Sequence, residues 1–185
     1  NSASVTVRTG AGGAESGDIT VASAIASSGL GASGKTLTLI AHDDIILNAA
    51  ISGDYNLDLQ AATGAVTQNS TINMTGTLTI AVNDSLTLDE NVTGTTTNIS
   101  VAGAGNTFTL TSGDTLTSTG ALTITADAMD ISGAVTATSQ TVTLKPTTAS
   151  TTISVGTNAA TSTLALTDTE LDNISSSTVV IGATS

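Results

Sequence analysis

The chain has no cysteine and no tryptophan, and proline, tyrosine, phenylalanine and histidine occur once each. Without cysteine there is no disulfide framework, and with aromatics at 1% the interior must be filled by something other than large rings. Basic residues are nearly missing as well: Arg8, Lys35 and Lys145 stand against 15 acidic residues, for a formal net charge of −12. That imbalance excludes nucleic acid as a partner, because neutralising phosphate takes clustered Lys and Arg. No apolar run approaches the ~18 residues that would span a bilayer as a helix, so no membrane insertion is expected. The opening Asn1 to Ser4 has neither the basic nor the apolar part of a signal peptide. The chain is therefore expected to be an internal fragment, a repeat unit or a processed part of a longer protein.

What is present is strand-and-turn chemistry. Val, Ile, Leu and Ala supply most of the 39% hydrophobic fraction, and Thr, Ser, Gly, Asn and Asp supply most of the rest. β-Branched residues suit a pleated surface and the small polar ones suit turns. The mean hydropathy is positive, which argues against disorder.

The apolar residues recur near every twenty positions. Alternating pairs fall at Leu37/Leu39, Leu57/Leu59, Leu78/Ile80, Ile99/Val101, Leu122/Ile124 and Val142/Leu144, whose first members are 20, 21, 21, 23 and 20 residues apart. A second series runs through Ile45/Leu47, Val66, Leu86/Leu88, Phe108/Leu110 and Met129/Ile131, and a third through Ile51, Ile72, Val92, Leu116 and Val135. Three short strands per repeat, each alternating apolar and polar side chains, predict an all-β parallel β-helix, or β-solenoid, whose rungs stack their apolar rows. The general bias of parallel crossovers makes it right-handed.

The spacing predicts about eight rungs of about 20 to 22 residues, hence a rod of roughly 40 Å. The whole chain, 1–185, reads as a single domain. Residues 1–18 are irregular or a first rung, 19–145 are regular rungs, and 146–185 are less regular. Gly53, Gly76, Gly94 and Gly120 are expected to close the third side, through positive φ or close backbone approach. Pro146, which cannot donate to a ladder, marks a strand end. A short helical turn is expected near 168–174, with Asp168 as its cap.

The Leu-Thr-Ile and Leu-Thr-Leu strands with Gly/Asn/Asp corners resemble the repeat regions of large filamentous-haemagglutinin-like bacterial exoproteins, the two-partner-secretion-type adhesins. So does the segment Leu164-Ala165-Leu166-Thr167-Asp168-Thr169-Glu170-Leu171-Asp172-Asn173-Ile174, followed by Val179-Val180-Ile181-Gly182. The resemblance implies a right-handed β-helix exported to the cell surface, acting in adhesion or as the shaft of an extracellular fibre. Neither end reads as a cap, so self-association end to end into a filament, or covalent continuation of the repeats, is expected of the partners. A host-cell or carbohydrate target is left open.

No catalytic constellation stands out, and no enzymatic activity or cofactor is expected. His42, followed by Asp43 and Asp44, is the only histidine and reads better as a solvated turn residue than as a metal ligand. Asp43, Asp84 and Asp127 recur where the first strand turns into the second. They are the weak calcium candidates, against a plainer role as acceptors for corner amides, because Thr63 and Gly105 interrupt the series and calcium takes six to eight oxygens. A polysaccharide-active enzyme would need a converging acid–base cluster and aromatic platforms, whereas only Tyr55 and Phe108 are aromatic. Thr-x-Thr pairs such as Thr77/Thr79 suggest an ice-binding lattice, which Asn56/Asp58 and Asn98/Ser100 break. Six Asn-x-Ser/Thr sequons, Asn69, Asn83 and Asn98 among them, are expected by chance in a chain so rich in Asn and Thr.

Overall fold

A computed structural model describes residues 3–26, 34–156 and 164–182. The chain begins with β1 (Val5–Arg8) and β2 (Ile19–Val21), then runs through β3 (Thr36–Ala41), β4 (Ile45–Leu47), β5 (Ile51–Gly53), β6 (Asn56–Ala61), β7 (Val66–Gln68) and β8 (Ile72–Met74). It continues with β9 (Leu78–Val82), β10 (Leu86–Leu88), β11 (Val92–Gly94), β12 (Thr97–Val101), β13 (Thr107–Leu110), β14 (Thr115–Ser118), β15 (Leu122–Thr125) and β16 (Ala128–Ile131). The last elements are β17 (Ala134–Lys145), β18 (Ile153–Val155), β19 (Leu164–Leu166), the helix α1 (Asp168–Asp172) and β20 (Ile174–Ile181).

Every strand pairing among the described residues is parallel, and outside the β18–β19 pair each strand pairs with one a turn away, which makes a β-solenoid. Its first side stacks β1, β3, β6, β9, β12, β15, the C-terminal half of β17 and the C-terminal half of β20. The second side is the six-stranded sheet β2-β4-β7-β10-β13-β16. The third side is β5, β8, β11, β14 and the N-terminal halves of β17 and β20. Sides one and three form one sheet because β17 runs unbroken round the corner between them. Ser139 sits at that bend with φ 64°, the only described non-glycine residue with positive φ, where the pairing of β17 with β20 shifts register between Ala137 and Thr141.

About five three-strand turns are complete, with partial turns at both ends, rather than the eight counted from the sequence. The surplus came from the C-terminal segment. Ile153/Val155 and Leu164/Leu166 do not join the main ladders; they pair with each other in a separate two-stranded sheet, whose β19 lies beside β16 with Leu164 and Leu166 buried in the core, while β20 rejoins the first and third sides.

The interior follows the period-two alternation. The second-side rows Ile45–Val66 and Leu86–Phe108–Met129 and the third-side row Ile51–Ile72–Val92–Leu116–Val135 stand in register as the spacing predicts. Almost all of these side chains are fully buried, and each Leu or Ile so placed contributes about 1.5–3 kcal/mol.

One row needs correction. Ile99 does not stack on Leu78 and Leu122; Thr97 does, and Ile99 stacks on Ile80 and Ile124. The rows therefore read Leu37–Leu57–Leu78–Thr97–Leu122–Val142 and Leu39–Leu59–Ile80–Ile99–Ile124–Leu144. A buried threonine stands where a leucine pattern was sought.

The glycine corners work mainly by close approach. A Cβ on Gly76 would collide with the Tyr55 carbonyl, and one on Gly120 would lie 2.8 Å from the Thr95 carbonyl oxygen. Polar side chains stitch successive turns at the first corner: Thr63 Oγ1 donates to the His42 carbonyl at 2.7 Å, and Asn106 Nδ2 donates to that of Asn83 at 2.9 Å. β17 ends at Lys145, immediately before Pro146.

Candidate functional site

The recurring aspartates sit at the first corner, each engaged separately. Asp43 Oδ1 accepts from Thr63 Oγ1 at 3.4 Å, and Asp84 Oδ1 accepts the N–H of Ser85 at 2.7 Å. Asp127 is nearly buried; it accepts the N–H of Thr148 at 2.8 Å, the Thr148 hydroxyl at 2.7 Å and the Thr151 hydroxyl at 3.1 Å. It thereby anchors the loop that leaves Lys145 and Pro146. Burial pushes its carboxyl pKa up, but the hydrogen bonds from Thr148 and Thr151 outweigh that and hold it below the usual carboxylate value. Among the described residues, no three His, Cys, Asp or Glu side chains converge as donors for a metal ion. Asp44, beside His42, accepts the N–H of Ala65 at 2.8 Å, while the His42 backbone N–H donates to Gly17 and Thr9.

The two aromatic side chains are interior. Tyr55 and Phe108 are both fully buried, so neither offers a platform for a sugar ring. The Tyr55 hydroxyl has no hydrogen-bond partner among the described residues, and burial raises its pKa. Arg8 and Lys145 lie in one outward row, Arg8–Ile40–Gln60–Ala81–Ser100–Thr125–Lys145, about 29 Å apart at the inter-strand spacing. A shallow hollow of about 200 Å³ between them is lined by Ile40, Gln60, Ala81 and Ser100 among others. The neighbouring outward row reads Thr38–Asp58–Thr79–Asn98–Thr123–Thr143, so aspartate and asparagine interrupt the threonines at alternate steps.

The ends of the solenoid hold the residues that sequence reasoning missed. The ladder of the second sheet stops at β16, and its outer edge is met by β19 and α1. Glu170 Oε1 accepts the Ile131 N–H at 3.1 Å, and Asn173 Nδ2 donates to the Ile131 carbonyl at 2.8 Å. Two side chains thus satisfy the backbone N–H and carbonyl of Ile131 where the ladder ends, and the expectation that no cap exists is corrected on this side of the C-terminal end. The N-cap of α1 is Thr167 rather than Asp168. Its hydroxyl accepts the Glu170 N–H, and the Glu170 carboxylate accepts the Thr167 N–H, a capping box. The Thr-x-x-Glu spacing was the available signal. Nothing local pointed to Ile131, 39 residues away from Glu170.

On the first side the ends stay open. β1 pairs only with β3, and β20 only with β17, among the described residues. Among the described residues the exposed large hydrophobic side chains are Val7 (43%) on β1, Val179 (38%) on β20, and Ile153 and Val155 on β18 of the small two-stranded sheet. None of the described helices is long and apolar enough to cross a membrane.

Comparison with known proteins finds no matching family model, and no curated protein or solved structure matches the chain.

Proposed function

We propose that this chain is a structural, non-catalytic segment of the shaft of an extracellular bacterial fibre or adhesin, of the filamentous-haemagglutinin-like kind. The observation that carries the reading is the apolar ladder of the first side. It runs in register through eight strands from β1 to β20, each turn repeating the one before it. A solenoid that repeats one parallel step along its axis is suited to serve as a shaft. Its flanks suit a shaft too. Outward positions are short polar side chains, and a net charge of −12 opposes sideways clumping while leaving the ends free to join.

Sedimentation and electron microscopy of the 185-residue chain and of the native material test this reading. Rods of uniform width, or a native polypeptide carrying many such repeats, are the expected result. A native chain no longer than this one that stays a compact monomer at every concentration would overturn it, as would measurable cleavage of a polysaccharide.

A further inference from the structure

Between Pro146 and Gly156 the chain crosses the first corner and forms β18 without fully burying one side chain. Hydrogen bonds hold it in two places. At the corner, Asp127 accepts the Thr148 N–H at 2.8 Å and the hydroxyls of Thr148 and Thr151 at 2.7 and 3.1 Å, while the Thr147 hydroxyl donates to the Val101 carbonyl at 2.8 Å. At the far end β18 pairs with β19 alone among the described residues: the Leu164 N–H donates to the Thr152 carbonyl at 3.2 Å, and the Gly156 N–H to the Leu166 carbonyl at 2.9 Å. Pro146 bounds the segment on one side and Gly156 on the other, with a φ of 116° that a residue with a side chain rarely adopts. What lies beneath is fixed without it. β19 keeps Leu164 and Leu166 buried beside β16, and α1 is tied to Ile131 through Glu170 and Asn173.

From this contrast we propose that residues 146–156 are a strap that opens as one unit from a solenoid that stays folded, with the Asp127 carboxylate as its latch and proton uptake by that carboxylate as the release. A segment with no buried side chain opens at far smaller cost than the stacked strands do. The latch itself is only 6% exposed, an anion whose partners are all uncharged donors. Protonation removes the charge that makes those bonds strong and turns an acceptor oxygen into a donor that faces donors. The ionisable groups on the surrounding elements are Lys145 at the head of the strap, Asp130 on β16, and Asp168, Glu170 and Asp172 on α1; the corner of the turn below, Ala102 to Asn106, carries none. None of them is among the groups that shift the Asp127 carboxyl. Burial raises its pKa, and the hydrogen bonds from Thr148, Thr151 and Thr147 outweigh that and lower it. The closed strap therefore favours the carboxylate, and acid favours the open one. Opening leaves the Leu164 N–H and the Leu166 carbonyl unpaired, a bare edge on β19. The latch is independent of the shaft reading.

Amide hydrogen exchange on the whole 185-residue chain between pH 7 and pH 3, corrected for intrinsic rates, tests the strap. At pH 7 the amides of Gly156 and Leu164 should be less protected than those of β9. Below about pH 4 their protection relative to β9 should fall by up to about tenfold per pH unit, as release by one proton requires. The variant carrying Thr148→Val and Thr151→Val removes two donors at positions that are not buried and leaves Asp127 in place. It should lower the protection of both amides at pH 7 by at least about tenfold with β9 unchanged. Asp127→Asn should lower it as well and flatten the acid dependence; if that variant unfolds the chain, the threonine pair decides. Gly156 and Leu164 amides that exchange together with β9 at every pH would overturn the separate unit. A separate opening that neither acid nor the threonine pair changes would overturn the latch.

Discussion

Glu170 accepts the backbone N–H of Ile131 at 3.1 Å, a side-chain carboxylate filling the place where the next strand's carbonyl would stand. The same carboxylate accepts from the Thr167 backbone N–H and hydroxyl at 2.8 Å each. One residue therefore closes the helix N-terminus and the sheet edge together. Asn173, the C-cap of α1, completes the pair by donating to the Ile131 carbonyl.

Replacing Glu170 by Ala should remove both functions. The expected cost is about 2–4 kcal/mol, the sum of a lost cap and an unsatisfied edge donor. Urea unfolding measures the cost, and amide exchange at Ile131 localises it: that amide should lose protection while the amides of the central strand β9 keep theirs. Unchanged exchange at Ile131 would show that the contact does not hold the edge.

Gly76→Ala is expected to destabilise by about 1–3 kcal/mol, as overpacking does. The atoms a new methyl would strike are the Tyr55 carbonyl group and the Asn56 side chain, and a backbone carbonyl held in the stack cannot swing away. Gly105→Ala is the control: its Cβ would meet nothing within 4 Å, so only its φ of 88° should count, at about 1 kcal/mol. A smaller loss at Gly76 than at Gly105 would contradict the close-approach account.

The second side was legible because its apolar period stays near twenty-one, and the third because one aliphatic residue marks each strand even where the steps stretch to 24 and shrink to 19. The first side was misread at one rung for a physical reason: Thr97 points inward, and a search for paired aliphatics steps over it to Ile99 and Val101. The unbroken course of β17 was hidden because its corner is made by Ser139, a residue with no preference for the left-handed region. The capping box of α1 was written in the local spacing of Thr167 and Glu170. Its partner Ile131 is a tertiary choice that no local pattern encodes.

Asp127 should make stability depend on acid. Its folded-state pKa lies below the unfolded value near 3.9, so its contribution is fully present above about pH 4 and is lost as pH falls through the lower folded value. Asp127→Asn should therefore lower Tm at pH 7, and the gap from wild type should shrink as pH drops below 4. A gap that stays constant down to pH 2 would mean the carboxylate's charge is not what holds Thr148 and Thr151.

Calcium should leave the chain unchanged. Asp43, Asp84 and Asp127 are each engaged by their own corner, and no three acidic groups converge among the described residues. A site with a Kd near 0.1 mM would add about 2.7 kcal/mol at 10 mM calcium, a shift of several degrees in Tm. The expected shift on adding 10 mM calcium, or on removing it with EDTA, is under about 1 °C on the same scale. A larger shift, abolished by Asp127→Asn, would reopen the carboxylate ladder.

Thr97→Val should stabilise the protein. Thr97 is fully buried in a row otherwise made of Leu and Val, and its hydroxyl has no hydrogen-bond partner among the described residues. Valine has nearly the same shape and is also β-branched, so the strand conformation and the stack above Leu78 and below Leu122 are kept. What changes is the desolvated hydroxyl, which costs about 1–3 kcal/mol when it has no compensating bond. The nearby Gly94 sharpens the expectation: a Cβ there would lie 2.7 Å from Thr97 Oγ1, so the oxygen sits against backbone rather than against a donor. Replacing it with a methyl adds some crowding at that point, which sets the expected net gain nearer 1 kcal/mol than 3. The midpoint of urea unfolding should rise with no change in its slope. A fall in the midpoint would show that the hydroxyl is satisfied or that the Gly94 contact cannot accept a methyl, and comparing Thr97→Ser with Thr97→Ala separates the two: both lack the methyl and differ only in the oxygen, so the serine variant is the more stable if the hydroxyl is satisfied and the less stable if it is not.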